Sequence, residues 1–114
     1  MKKLEVIIRP DKLEDLKVIL NEHAVGGMTV TSVMGCGKQK GDAGADLKGL
    51  TLLNMNLLPK IQANIVIEDD DLDELLNAIQ ERIATGKVGD GKVFVYNVEE
   101  AMRIRTGERG RKAI

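Results

Sequence analysis

One pattern occurs twice in this chain: apolar residues at every second position, then apolar residues on a helical stripe, then alternation again. Leu4, Val6 and Ile8 alternate with Glu5, Ile7 and Arg9, which predicts a strand with one face more buried than the other. Pro10 and Asp11 open a helix whose Leu13, Leu16, Ile19 and Leu20 fall on one stripe, and Gly26-Gly27 ends it. Met28 to Met34, rich in Val and Thr, reads as a second strand. Ile61, Ala63, Ile65 and Ile67 restore alternation as a third. Asp70 or Asp71 then caps a helix carrying Leu72, Leu75, Leu76, Ile79 and Ile83. Thr85-Gly86 closes that helix, and Val93-Phe94-Val95 is a fourth strand. Between the two cycles, Gly35 to about Asn56 lacks sustained periodicity and holds five glycines, as a long loop does.

Two strand–helix–strand units in tandem predict an α+β fold. It is the ferredoxin-like double βαβ sandwich, with an antiparallel sheet and both helices on one face. The opposite face then carries Ile7, Val33 and Val66, which are costly to leave wet across a whole sheet. A closed homo-oligomer is the natural way to cover them. With 114 residues the chain makes a single domain, 1–114. A net charge of −1 gives no broad attraction to nucleic acid, and one Phe, one Tyr and no Trp argue against a base-stacking sheet. Cys36 is the only cysteine, so neither an intrachain disulfide nor a cysteine-based zinc site forms, and a reducing cytoplasm is expected. Met1-Lys2-Lys3 leads into an alternating run with Glu5, unlike a signal peptide, and no stretch reaches the length of a membrane span.

The segment Thr85 to Glu108 holds the densest functional signal. Gly89 and Gly91 bracket Asp90, Lys92 follows at once, and Arg103 and Arg105 recur downstream. Glycines let a backbone turn tightly and approach a ligand, and exposed N–H groups beside several cations suit a polyphosphate. Gly-Asp-Gly is also an ordinary turn before a strand, so residue types alone leave both readings open.

The whole chain resembles the PII nitrogen-regulatory signal-transduction proteins. The resemblance is carried by Ile-Ile-Arg-Pro-Asp-Lys-Leu at 7–13, Gly-Met-Thr-Val-Thr at 27–31 and Gly-Cys-Gly-Lys-Gln-Lys-Gly at 35–41. It continues through Leu-Pro-Lys at 58–60, Thr-Gly-Lys-Val-Gly-Asp-Gly-Lys-Val-Phe at 85–94 and Ile-Arg-Thr-Gly-Glu at 104–108. The resemblance implies a homotrimer that binds ATP or ADP competitively in clefts between subunits, and 2-oxoglutarate once Mg-ATP is in place. It also implies a long T-loop, here about 37–56, that docks on a transporter, enzyme or transcription factor, and a C-terminal tail at about 106–114.

Carried over residue by residue, Gly89, Asp90, Gly91 and Lys92 would wrap the phosphates by backbone N–H and ammonium. Arg103 and Arg105 would reach phosphate oxygens across the subunit boundary. Thr29, with the backbone at Gly27 and Met28, would meet adenine, with Ile7 and Val66 as apolar wall. Gly35, Gly37 and Lys38 would sit at the loop base; many relatives carry Arg where Lys38 stands. Gln39 would help hold Mg and the keto acid, with Gly41 beside it, and Lys60 would pair with the distal carboxylate. Relatives commonly place Glu near Asn64, so a neutral amide there alters the surroundings of Lys92.

The T-loop departs most from the family. It is about two residues longer than the common form, and Asp46-Leu47-Lys48-Gly49-Leu50-Thr51-Leu52 stands where relatives carry a tyrosine-containing segment. Tyr96 is the only tyrosine, and Ser32 precedes the loop, so modification of a loop tyrosine or serine is unavailable. The leucines from Leu50 to Leu58 suit either an extended β-arm packing within the trimer or a docking surface built on Leu50, Leu52, Leu53 and Met55. An ammonium channel, another transporter or a nitrogen-metabolism enzyme fits as partner, with recruitment to the membrane through a transporter. Cys36, between glycines, reads as a small packing residue, and His23 as a helix-end residue. Besides a regulatory trimer, a slow nucleotide hydrolase and a purely structural trimer remain as alternatives. No general base stands out for the hydrolase.

Overall fold

The computed structural model describes residues 1–37 and 57–114. Four strands, β1 (Lys2–Ile8), β2 (Thr29–Gly35), β3 (Leu58–Ile67) and β4 (Lys92–Asn97), form one sheet in the order β2-β3-β1-β4. Every neighbouring pair is antiparallel. Helices α1 (Leu13–Glu22) and α2 (Leu72–Ile83) connect β1 to β2 and β3 to β4. The expected ferredoxin-like arrangement is therefore present, and among the described residues no helix is long and apolar enough to cross a membrane.

Alternation in β1 and β3 sends Leu4, Val6, Ile8, Ala63, Ile65 and Ile67 to the helix side, where they are buried. Leu16, Ile19 and Leu20 of α1 and Leu75, Ile79 and Ile83 of α2 meet them there. Burying one such Leu or Ile side chain contributes about 1.5–3 kcal/mol, so this layer holds the domain together.

The other face is mixed. Its cross-strand rows run Thr31–Gln62–Ile7–Lys92, then Thr29–Asn64–Glu5–Phe94, then Val66–Lys3–Tyr96. Gln62 Nε2 donates to Glu5 at 3.1 Å and Tyr96 Oη donates to the same carboxylate at 3.4 Å. Asn64 Oδ1 is buried there without a donor among the described residues. Buried polar atoms are rarely left so.

Element ends differ from the sequence reading. Pro10–Lys12 and Asp69–Asp71 are short 3-10 turns leading into the helices, and neither Asp70 nor Asp71 makes a side-chain cap bond. The acidic run still suits the positive end of the α2 dipole. β3 begins at Leu58, so Leu58, Pro59 and Lys60 belong to the strand and not to the loop. The end of α1 is set at Ala24, with φ 55°, and not at Gly26-Gly27. The Val25 N–H then bonds the Leu20 carbonyl at 3.0 Å, closing the helix.

An L-residue in the left-handed region costs roughly 1–2 kcal/mol, part of which glycine gives back in unfolded-chain entropy. Ala24→Gly is accordingly expected to stabilise the protein by about 0.5–1 kcal/mol. Urea unfolding at fixed protein concentration measures it.

Candidate functional site

The connection from α2 to β4 is short, polar and folded around one carboxylate. Asp90 Oδ2 accepts the backbone N–H groups of Thr85 at 2.7 Å and Gly86 at 2.9 Å. Its Oδ1 accepts the Thr85 hydroxyl at 2.5 Å and Arg9 Nη1 at 2.5 Å. These donors, led by Thr85 hydroxyl and amide and then by Arg9, hold the Asp90 carboxyl far below the usual carboxylate range. The three carbonyls preceding Asp90 are also engaged. Lys87 O accepts Asp90 N–H at 3.3 Å, Val88 O accepts Arg9 Nη2 at 2.8 Å, and Gly89 O accepts Lys60 Nζ at 2.7 Å.

Gly91 is required by close approach. Its φ is 106°, and a Cβ there would lie 1.8 Å from the Ile7 carbonyl oxygen. That contact fixes the loop to the end of β1 just before Lys92 pairs with Ile7. Arg9 and Lys60 thus gather around a turn of backbone whose only carboxylate is already satisfied, and Lys92 follows at the start of β4. Such a place attracts an anion of several charges.

The sequence-predicted residues fall into two groups. At the loop end of the sheet lie Ile7, Lys60, Gly89, Asp90, Gly91 and Lys92, with Gly35 closing β2 opposite Leu58. Gly37 is exposed and adjoins this end. At the other end lie Gly27, Met28 and Thr29, with Val66 in the row of Lys3. Thr29 and Gly35 terminate the same strand, about 20 Å apart at strand rise. Ile7 and Val66 share a face but are separated by four positions along β1, or about 13 Å. One chain therefore does not bring these residues around a single base.

Arg103 and Arg105 sit on a tight turn beyond β4. Arg103 N–H donates to Glu108 O at 2.8 Å, Gly107 N–H returns to Arg103 O at 2.8 Å, and Arg103 Nη1 lies 3.3 Å from Glu108 Oε1. Neither arginine bonds the Thr85–Lys92 loop of its own chain among the described residues. Ile104 between them is 90% exposed. Lys38, Gln39, Gly41, Leu50, Leu52, Leu53 and Met55 lie outside the described residues.

Two cavities accompany these elements. One of about 260 Å³ lies on the helix side of the loop, against Ile79, Ile83, Gly91 and Val93, and is largely apolar. The other, about 220 Å³, is lined by Met1, Glu68, Asp69, Asp70 and Arg111, with the N-terminus paired to Asp69 and Arg111 to Glu68. The first borders three of the predicted site residues, Asp90, Gly91 and Lys92, from the helix side.

Arg9 and Thr85, which hold Asp90 in place, are positions that the residue-type reading passed over. Pro10 after Arg9 was the available signal, because a residue before proline is held extended. Thr85 carried none that separates it from an ordinary turn threonine. Cys36, expected to pack, is exposed instead, since β2 has ended and its neighbours are glycines. His23 behaves as a helix-end residue, with Nδ1 2.8 Å from Ile19 O.

Comparison with known proteins gives a consistent result. The family model described as "Nitrogen regulatory protein P-II" matches residues 1–108. Over 114 residues, the full length of both chains, the sequence is 46% identical to the P-II protein of Pasteurella multocida and 47% to that of Rhodospirillum rubrum. It is 43% identical over the same span to GlnK of Escherichia coli. Among solved structures, B. subtilis GlnK superimposes with a TM-score of 0.83 at 33% identity, covering 99% of this chain and 97% of that one. A B. subtilis GlnK–ATP complex gives 0.80 at 32%, covering 99% and 96%.

A depressed folded-state pKa means that Asp90 contributes stability above the ordinary carboxylate range, and loses it as pH falls through that range toward its own pKa. The gap in thermal midpoint between the parent and Asp90→Asn is therefore expected to be largest near neutrality. It should shrink as pH drops below about 4. Thermal scans of both proteins across pH measure it.

Proposed function

The chain belongs to the nitrogen regulatory protein P-II family, and from that premise we propose that it is a regulatory homotrimer sensing ATP and ADP in clefts between subunits. The observation that carries this reading is the division of the predicted residues between opposite ends of one sheet. The phosphate half is the Thr85–Lys92 loop with Lys60 and Lys92, and with Gly35, Gly37 and Lys38 at the T-loop base. The base half is Gly27, Met28, Thr29 and Val66, accompanied by Arg103 and Arg105. Two copies laid side by side join one half to the other. The far face supports the same assembly, since Phe94 and Tyr96 stand exposed on it.

A regulatory role is favoured over hydrolysis by the state of Asp90. Its carboxylate accepts four hydrogen bonds and lies well below the usual pKa range, so it is a poor base toward a water molecule. The structural-trimer alternative gives no role to the charge of Lys60 and Lys92 left over beside a glycine loop.

With Mg-ATP bound, 2-oxoglutarate would be held by Gln39, Gly41 and Lys60. Gln39 would supply Mg with one oxygen while the phosphates supply others. Lys60 links the two ligands, because its ammonium already rests on Gly89 O and must divide its hydrogen bonds when a carboxylate arrives. Output would pass through a T-loop at about 37–56, whose Leu50, Leu52, Leu53 and Met55 form the docking surface for a transporter or a nitrogen-metabolism enzyme. The domain would span 1–114, with a tail from about 106, and would work in the cytoplasm or at a membrane transporter.

Titration calorimetry is expected to show ATP and ADP competing for one site per chain, and sedimentation to show three chains per particle. Arg105→Ala should keep the trimer and weaken ATP binding by roughly 10- to 100-fold, as loss of a charge-assisted bond does. Unchanged ATP heat in that variant would contradict the trans-acting arginine. Absence of heat on adding 2-oxoglutarate to the Mg-ATP complex would reject the keto-acid site alone.

A further inference from the structure

Arg9 occupies an unusual place for a cation beside a phosphate loop, because both ends of its guanidinium are spent on the protein. Nη1 meets Asp90 Oδ1 at 2.5 Å and Nη2 meets Val88 O at 2.8 Å. Its side chain is 30% exposed and that of Asp90 21%. The backbone of Arg9 is extended, with φ −62° and ψ 145°, the region to which a following proline confines a residue. Pro10 therefore presets the direction from which the guanidinium reaches the loop. Gly89 completes the fit, since a Cβ at that position would lie 2.9 Å from Arg9 Nη2.

The consequence follows from peptide geometry. In a planar trans peptide the carbonyl of one residue and the N–H of the next point in opposite directions. Pinning Val88 O toward Arg9 turns the Gly89 N–H away from Arg9, to the side where an incoming anion meets no guanidinium. Asp90 does the same at the start of the loop by gathering the Thr85 and Gly86 N–H groups inward.

We propose that Arg9 is a positioning residue for the phosphate loop, acting through Val88 and Asp90 and not as a phosphate ligand. The proposal rests on the nucleotide reading of Thr85–Lys92. The planar fork is what the role needs. A lysine places the same charge nearby but is a point donor, and does not hold a carbonyl and a carboxylate in one plane.

Two measurements on the 114-residue chain, made on the parent and on Arg9→Lys and Arg9→Ala, test it. Amide exchange by mass spectrometry without nucleotide reads the loop, and calorimetry with Mg-ATP reads the ligand. In both variants the hydrogen-bonded amides of Thr85, Gly86 and Asp90 should exchange at least about 10-fold faster, while β1 and β3 stay protected. ATP affinity should fall by about 10-fold or more in both, with Arg9→Lys giving no rescue. Parental ATP affinity in Arg9→Lys would overturn the proposal, because charge alone would then suffice. Weakened ATP binding with unchanged loop exchange would also overturn it, by making Arg9 a direct ligand. If the parent itself takes up no ATP, the nucleotide reading falls and this role falls with it. If the parent and both variants bind alike, only the role of Arg9 falls.

Discussion

Strand β1 pairs with β3 on one side and β4 on the other, and that shared register fixes every separation on which the functional argument depends. Leu4, Val6 and Ile8 point into the helix layer, so Ile7 faces outward between Gln62 and Lys92. A slip by one residue would expose the buried set and remove Ile7 from the site face. The close contact of Gly91 with the Ile7 carbonyl guards the register at the end where slippage would matter most. Arg9, one residue past the strand, then lies within reach of the loop that β4 brings back.

The candidate site is organised by inward and outward hydrogen bonding. Asp90, Arg9 and Lys60 absorb the carbonyls and several amides of the α2–β4 connection within the chain. The surplus positive charge of Lys60 and Lys92 stays near a glycine backbone. This arrangement suits an anion and offers no free carboxylate to activate water, which fits the proposed sensing role. The residues proposed to contact the base sit a strand length away, so in the proposed assembly the sheet is a spacer between two half-sites on neighbouring copies. The far face, with its Glu5 network and the exposed Phe94 and Tyr96, is the surface on which those copies would meet.

Much of the fold was readable in the sequence because burial imposes periodicity. Leu16, Ile19 and Leu20 sit where the stripe placed them, and so do Leu75, Ile79 and Ile83. The ends of elements were harder, since they are decided by local dihedrals and not by burial. Ala24 takes the left-handed conformation two residues before a glycine pair, and the Asp69–Asp71 run turns before α2 without capping it. Within the site, glycine and cation types located the loop but did not assign roles. That Gly91 is held by a carbonyl, and that Asp90 is an internal anchor, depends on contacts between residues some eighty positions apart in sequence. The same distance hid Arg9.

The central claim is that one nucleotide site is built from two chains. Refolding a mixture of Lys92→Ala and Arg105→Ala chains, each impaired at a different half, tests it most directly by calorimetry. Each variant alone should bind ATP weakly. The mixture should regain sites of parental affinity in roughly a quarter of its clefts, where an intact half from one chain meets an intact half from its neighbour. A mixture with no more high-affinity sites than the separate variants would place both halves within one chain and contradict the account.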